Sequence, residues 1–216
     1  MSDMTIYIIS GLGADERVFS KLSLPSTVVH LNWIKNKLKE SLSMYAKRMA
    51  VSISDSKNAI LIGLSFGGIV AQEIVAQREI GKLIIINSVK TRNEIPLHLR
   101  LVGDLGLHKL FPTQIFSHPL FKPISYFFFS LKTREEKVLL DQIFDNADYN
   151  YIEWCIDKVL KWPGKNKTIN PIHIHSKGDR IFPARNIKVD ALSTGDHFAV
   201  FSISHEVDEI LGRLLL

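Results

Sequence analysis

Short apolar runs recur along the chain, each bounded by glycine, proline or small polar residues. The runs 59–62 and 83–86 contain no polar residue. Strands buried on both faces have this pattern, because helices cover each side of a parallel sheet. The pattern therefore predicts an α/β fold, with a mostly parallel sheet of about six strands and helices on both faces. The predicted strands are 5–10, 27–33, 58–64, 82–88, 170–176 and 187–193, and the predicted core helices are 15–22, 41–53, 67–79 and 205–215.

The sequence GLSFGG at 63–68 stands between one of these strands and one of these helices. G-x-S-x-G in that context is typical of a sharp turn that presents a serine nucleophile, here Ser65. A serine at such a turn has a strained backbone, and a side chain at Gly63 or Gly67 would collide with the adjoining strand or helix. The following helix directs its amide dipoles at the point where negative charge develops in acyl transfer. Taken alone, the five residues also fit a glycine-rich turn in another kind of α/β domain.

An aspartate and a histidine follow two later predicted strands. Asp179 comes after the strand 170–176, across a Ser-Lys-Gly turn, and His197 lies in the sequence TGDHF after the strand 187–193. The carboxyl ends of parallel strands meet at one edge of the sheet, so both side chains are expected near Ser65. The order Ser, Asp, His along the chain is that of one of the three common catalytic-triad lineages.

Three further residues are rivals for the acid and the base. Asp190 is predicted within a strand, and Asp196 adjoins His197 so closely that its carboxylate could hardly reach the far ring nitrogen. His205 opens the last predicted helix, whose start is expected to point away from the turn. We therefore favour Asp179 and His197.

A glycine loop, SGLGA at 10–14, follows the first predicted strand. Acyl transfer needs two backbone N–H groups aimed at the oxyanion, and Phe66, directly after the serine, would supply one of them. Leu12 in the glycine loop is the expected source of the other. The loop also resembles the start of a dinucleotide-binding motif, but Glu16 replaces the third glycine and would repel a pyrophosphate.

Together, the SGLG loop, the GLSFGG turn, the HSKGDRIFP acid turn and the TGDHF histidine turn resemble the α/β-hydrolase family, of the compact single-lid kind. The resemblance extends over most of the chain. It implies a serine hydrolase that cleaves a small or medium carboxylic ester or thioester through an acyl-enzyme, with no metal or organic cofactor. The same triad also serves C–C bond hydrolases, perhydrolases and lyases, and the fold also serves slow or non-catalytic receptors. Ser10 departs from the family's usual histidine, which keeps the backbone donor but removes a loop-fixing side chain.

The alternation of strand and helix stops between about residues 91 and 167. An insertion at this point would lie over the site, so we predict a helical lid at 91–167 within a core formed by 1–90 and 168–216. Most of its aromatic residues are expected to form the lid's own core. The lid contains seven of the twelve phenylalanines and two of the three tryptophans: Phe111, Phe116, Phe121, Phe127, Phe128, Phe129, Phe144, Trp154 and Trp162. The residues expected to face substrate are Tyr126, Phe127, Phe128 and Phe129.

Composition narrows the class of partner. The chain has 216 residues, 46% of them hydrophobic and 23% charged, which fits one globular domain and excludes disordered and fibrous proteins. The net charge of +5 comes from scattered Lys and Arg, so we expect a solvated basic surface and no nucleic-acid partner; weak attraction to anionic lipids or substrates stays open. The longest uncharged stretch, 59–72, is shorter than the roughly 20 residues of a membrane span, and residues 1–10 contain a strand instead of a signal peptide. We expect a cytoplasmic protein whose small-molecule substrate has an acyl or aromatic part.

Two other features could be mistaken for functional sites. His173 and His175 alternate along a predicted strand, but no third ligand lies at a metal-site spacing, so we expect a structural role and no metal. Cys155 is the only cysteine, so it cannot form an internal disulfide, and we expect it to pack as a small apolar residue.

Overall fold

Six parallel strands form one sheet in the described part of the chain. The structure is a computed structural model, and it describes residues 4–24, 28–110, 113–114, 118–164 and 170–215. The strands are β1 (Thr5–Ile9), β2 (Val28–His30), β3 (Ala59–Leu64), β4 (Lys82–Ile86), β5 (Ile172–Ser176) and β6 (Ala191–Ser193). Their order across the sheet is β2-β1-β3-β4-β5-β6, and every neighbouring pair is parallel. The predicted α/β fold is confirmed.

The central strands bury both of their faces. Ile60 and Ile62 of β3 join the hydrophobic cluster on one side of the sheet, and Leu61 between them joins the cluster on the other side. β3 is also enclosed laterally, because β1 and β4 pair with its two edges. This two-sided burial accounts for the absence of polar residues from the run 59–62.

Helices cover both faces of the sheet. Tyr45 and Ile69 belong to the cluster on one face, whereas Phe201 and Val207 belong to the cluster on the other. The α-helices of the described residues are α1 (Leu42–Met49), α2 (Phe66–Val75), α3 (Leu97–Asp104), α4 (Lys122–Phe128), α5 (Arg134–Asp145), α6 (Tyr149–Lys161), α7 (Ala199–Ser202) and α8 (Ser204–Leu215).

Several predicted elements are shorter in the structure. The predicted helix 15–22 is a single 3₁₀ turn, Glu16–Phe19, and α2 ends at Val75 instead of residue 79. The predicted strand 187–193 is reduced to β6, so Asp190 lies just before a strand and not within one. The Asp190 carboxylate accepts from the His173 N–H at 2.8 Å, and the Asp190 N–H donates to the His173 carbonyl at 2.9 Å. These two bonds replace regular strand pairing at that point.

Four helices of the described residues, α3 to α6, lie between β4 and β5, inside the range 91–167. An antiparallel bridge between Thr91 and Gly164 joins the two ends of this insertion. Phe111 and Phe116 of the aromatic set lie outside the described residues. None of the helices in the described ranges has the length and apolar content that crossing a membrane requires.

Candidate active site

Ser65 occupies the turn between β3 and α2 in a conformation that is rare for a residue with a side chain. Its φ is 52° and its ψ is −118°. The Ser65 N–H donates to the Ile86 carbonyl at 2.8 Å, and the Ser88 hydroxyl donates to the Ser65 carbonyl at 2.7 Å. These two bonds hold the serine backbone from the last residue of β4 and from the segment that follows it, which stabilises an otherwise strained residue.

The glycines on either side of Ser65 are sterically required. A Cβ on Gly63 would lie 2.5 Å from the Gly67 carbonyl oxygen. A Cβ on Gly67 would collide with the backbone carbonyls of Ile9 and Ser10 at the end of β1. The collision predicted for both positions is therefore confirmed: α2 can approach β3 closely because Gly63 has no side chain, and it can approach the end of β1 because Gly67 has none.

Ser65, His197 and Asp179 are joined by hydrogen bonds. His197 Nε2 lies 2.9 Å from Ser65 Oγ, and His197 Nδ1 lies 2.7 Å from Asp179 Oδ2. A carboxylate only accepts, so Nδ1 carries the proton and Nε2 is free to accept the serine proton. The other carboxylate oxygen of Asp179 accepts from the N–H groups of Ile181 and Phe182 at 2.8 and 2.9 Å, which fixes the acid in place.

The rival residues lie outside this chain of hydrogen bonds. Asp196 Oδ1 accepts from the Phe198 N–H at 2.9 Å and so caps the following turn. Burial raises the pKa of the Asp196 carboxyl above its usual range. The His205 side chain is 90% exposed and lies 3.6 Å from Glu209.

The glycine loop after β1 is a turn from Gly11 to Ala14. The Ala14 N–H donates to the Gly11 carbonyl at 3.0 Å, and Gly13 has a φ of 68°, which favours glycine at the third position of such a turn. The buried Ser10 hydroxyl donates to the Ala14 carbonyl at 2.5 Å. Our expectation that Ser10 deprives the loop of a fixing side chain is therefore wrong, because its short hydroxyl reaches across the turn.

Leu12 and Phe66 border the serine from two sides. Leu12 is the second residue of the turn, and its N–H makes no hydrogen bond to another described residue. Phe66 is the first residue of α2, where an N–H has no acceptor within the helix. A Cβ on Gly11 would lie 3.7 Å from the Ser65 Cβ, so the loop packs directly against the serine.

A cavity of about 370 Å³ contains Ser65 and His197 in its wall. Phe128 and Phe129 line it, and the Phe129 ring lies 5.7 Å from the His197 ring. Tyr126 and Phe127 were expected to face a bound molecule, but they are not among the residues that line this cavity. The Tyr126 hydroxyl donates to Asp141 at 2.9 Å, and Phe127 is 59% exposed, with the Arg180 guanidinium 4.2 Å from its ring centre.

Aliphatic side chains from α5 and α6 form much of the remaining wall, and the sequence analysis did not identify them. They recur at helical spacing, so the apolar faces of these two helices were a usable signal. Two of them lie on α5 and four on α6: Leu140, Ile143, Ile152, Ile156, Val159 and Leu160. The cavity is therefore strongly apolar apart from Ser65, His197 and a few polar side chains such as Arg180.

Asn87 is another residue of the site that the sequence analysis missed. It follows β4 with a φ of 46°, and its side-chain amide donates to the carbonyls of Asp196 and His197 at 2.8 and 3.2 Å. The amide thereby fixes the backbone of the histidine turn. A polar residue directly after a buried strand was the available signal.

The two strand histidines lie behind Asp179. His175 Nε2 donates to the Phe182 carbonyl at 2.7 Å, and His175 Nδ1 lies 3.3 Å from His173 Nε2. Burial lowers the pKa of His173 to about 2 and also lowers that of His175, which favours the neutral form of both rings. The described residues contain no group of three or more His, Cys, Asp or Glu side chains placed to hold a metal ion. Cys155 is buried, and burial raises the pKa of its thiol.

Solved structures share this architecture over nearly the whole chain. An esterase from Thermogutta terrifontis has a TM-score of 0.68 at 13% identity, covering 98% of this chain and 89% of its own. A bromoperoxidase from Bacillus anthracis has a TM-score of 0.71 at 13% identity, covering 98% and 91%. The chain has the α/β-hydrolase fold.

MenH from S. aureus is a further neighbour, with a TM-score of 0.67 at 17% identity, covering 99% of this chain and 94% of its own. No protein-family model and no curated protein matches the chain. At these identities the likeness is one of α/β-hydrolase fold alone, and neighbours with this fold carry differently named activities.

Proposed function

We propose that the protein is a serine hydrolase that cleaves a small or medium carboxylic ester or thioester through an acyl-enzyme. The observation that carries this proposal is the hydrogen-bonded series Asp179, His197 and Ser65 at the wall of an apolar cavity. The esterase among the fold neighbours agrees with it.

In the proposed mechanism, Ser65 Oγ attacks the carbonyl carbon while His197 Nε2 takes the hydroxyl proton. The negative charge that develops on the carbonyl oxygen is stabilised by the N–H groups of Leu12 and Phe66. His197 then gives its proton to the leaving group, and a water molecule, activated by the same imidazole, releases the acid from Ser65. Asp179 keeps the imidazole in the tautomer with the proton on Nδ1 and stabilises its charged form.

The insertion 91–167 is proposed to act as a lid on a core formed by 1–90 and 168–216. Phe128, Phe129 and the aliphatic side chains of α5 and α6 would hold the acyl or aromatic part of the substrate and exclude water from the reacting carbonyl. Arg180 is a charged residue at the cavity wall, and its guanidinium donates to the Phe127 carbonyl at 2.9 Å. The apolar side chains of the wall favour an apolar acyl group over a polar one.

Perhydrolysis is the second candidate function, because a bromoperoxidase is among the fold neighbours. It would use the same acyl-enzyme, with hydrogen peroxide in place of water as the acceptor. Adding peroxide to the ester assay and measuring peracid separates the two candidates. C–C bond hydrolysis and lyase chemistry would need the same Ser65 and His197 on a different substrate.

The direct test is a series of p-nitrophenyl esters from acetate to palmitate, assayed with the parent protein, Ser65→Ala and Ser52→Ala. We expect turnover of short and medium esters by the parent and a loss on the order of 10⁴- to 10⁶-fold in Ser65→Ala. Ser52 is exposed and does not line the cavity, so Ser52→Ala should match the parent. Near-normal turnover by Ser65→Ala, or a feeble response to every ester, would contradict the proposal.

A further inference from the structure

Trp33 contacts the two segments that carry the proposed oxyanion donors. It is half-buried and follows β2, the edge strand that pairs with β1. Its indole N–H is shared between the carbonyls of Gly11 and Ala14, at 3.1 and 2.9 Å. These two carbonyls stand at the ends of the glycine turn, so the indole spans the turn that contains Leu12.

The Trp33 ring also contacts Phe66. The Trp33 and Phe66 rings are stacked, with their centres 5.5 Å apart and an angle of 28° between their planes. Phe66 provides the second proposed donor from the first residue of α2. One side chain therefore bridges the glycine turn and the start of the helix.

The backbone next to Trp33 is fixed by two buried tyrosines, Tyr45 and Tyr151. The buried Tyr45 hydroxyl donates to the Ile34 carbonyl at 2.8 Å and accepts from the Ile34 N–H at 3.1 Å. The Tyr151 hydroxyl lies 2.9 Å from that of Tyr45, and it must donate because the Tyr45 proton is already used. The residue next to Trp33 thus has both of its backbone polar groups fixed by α1 and, through Tyr151, by α6.

The turn does not need the indole to satisfy its own hydrogen bonds. The Gly11 carbonyl also accepts from the Ala14 N–H at 3.0 Å, and the Ala14 carbonyl also accepts from Ser10 Oγ at 2.5 Å. What the indole adds is the link between this turn and Phe66. Its loss would therefore change the relative placement of the two segments more than the stability of either one.

We propose that Trp33 is a positioning residue that sets the spacing between the Leu12 and Phe66 N–H groups. This inference rests on the proposed function, because the spacing matters only if an oxyanion forms there. Donors aimed at the oxyanion act in the transition state, so misplacing them lowers kcat and leaves KM nearly unchanged.

The test is Trp33→Phe, which keeps a ring against Phe66 and removes the N–H. Deleting a whole oxyanion donor costs about 10²- to 10³-fold in kcat, and displacing one should cost less, so we expect kcat to fall about tenfold. KM should stay within about twofold, and the shape of the pH profile should not change. Affinity for an alkyl boronic acid, which forms a tetrahedral adduct on the serine, should fall by the same factor as kcat. Trp33→Met, without N–H or ring, should lower kcat further.

Trp162→Phe is the matched control. Its indole N–H also makes a buried hydrogen bond at 2.8 Å, to Glu73 Oε1, which lies on α2 but about two turns beyond Phe66. We expect kcat within twofold of the parent. An unchanged kcat in Trp33→Phe, or an equal fall in Trp162→Phe, would overturn the role of Trp33. Activity retained in Ser65→Ala would instead overturn the proposed function, so the two failures are distinguishable.

Discussion

The backbone strain at Ser65 can be measured independently of activity by comparing Ser65→Gly with Ser65→Ala. Both variants lose the hydroxyl and its bond to His197, so that loss cancels in the comparison. Alanine keeps the Cβ at φ 52° and ψ −118°, whereas glycine adopts these angles freely. The difference in unfolding free energy between the two variants therefore reports the strain.

The size of the effect follows from two opposing terms. A residue held in a sparsely populated backbone region costs about 1–3 kcal/mol. Glycine also gains freedom in the unfolded chain, which offsets about 0.4–1 kcal/mol of the benefit. We therefore expect Ser65→Gly to be more stable than Ser65→Ala by about 1–2 kcal/mol, or about 2–8 °C in melting temperature for a chain of this length.

Urea unfolding and calorimetry of the two variants give the measurement. Ala76→Gly is the control, because Ala76 is exposed, lies at the end of the same helix and has an ordinary φ of −63°. That change should lower stability by about 0.5–1 kcal/mol, the opposite sign. The strain argument is refuted if Ser65→Gly is no more stable than Ser65→Ala.

Further predictions concern the base, the acid, a buried histidine and the cysteine. His197→Gln should lower turnover on the order of 10⁴- to 10⁶-fold in the ester assay, and Asp179→Asn should cost less; a mild effect of both would contradict the triad. Burial lowers the pKa of His173 from 6.5 to about 2, so below about pH 6.5 the unfolded chain binds a proton that the folded chain does not. The free energy of unfolding should therefore fall as the pH drops below about 6.5, by up to about 1.4 kcal/mol per pH unit. His173→Gln should flatten this fall in urea unfolding, and parallel curves would contradict it. Burial raises the pKa of the Cys155 thiol, so iodoacetamide should leave the native protein unmodified by mass and label it in urea; rapid labelling of the native chain would be inconsistent with that burial.

The features that the sequence predicted correctly are those set by local chemistry. The run 59–62 is apolar throughout because both faces of β3 are covered, and the strand observed at Ala59–Leu64 lies within the predicted 58–64. The glycines around Ser65 follow from sterics within a few residues. The placement of Asp179 and His197 beside Ser65 follows from the common edge where parallel strands end.

The features that could not be predicted from the sequence depend on contacts between distant segments. Asp190 leaves the strand pattern because its carboxylate bonds the backbone of His173. Trp33 reaches the glycine turn 19 to 22 residues before it, and no local periodicity marks such a contact. Tyr126 and Phe127 are as aromatic as Phe128, but the rotation of α4 decides which of them meets the cavity, and that rotation depends on partners such as Asp141.

The central claim is that Ser65 is a nucleophile activated by His197. Incubation with a fluorophosphonate, followed by mass spectrometry of the peptides, tests it most directly. We predict one adduct on Ser65 in the parent protein, none on that peptide in Ser65→Ala and much slower labelling in His197→Gln. An unlabelled Ser65 in folded protein, or labelling at the same rate without the imidazole, would contradict the claim.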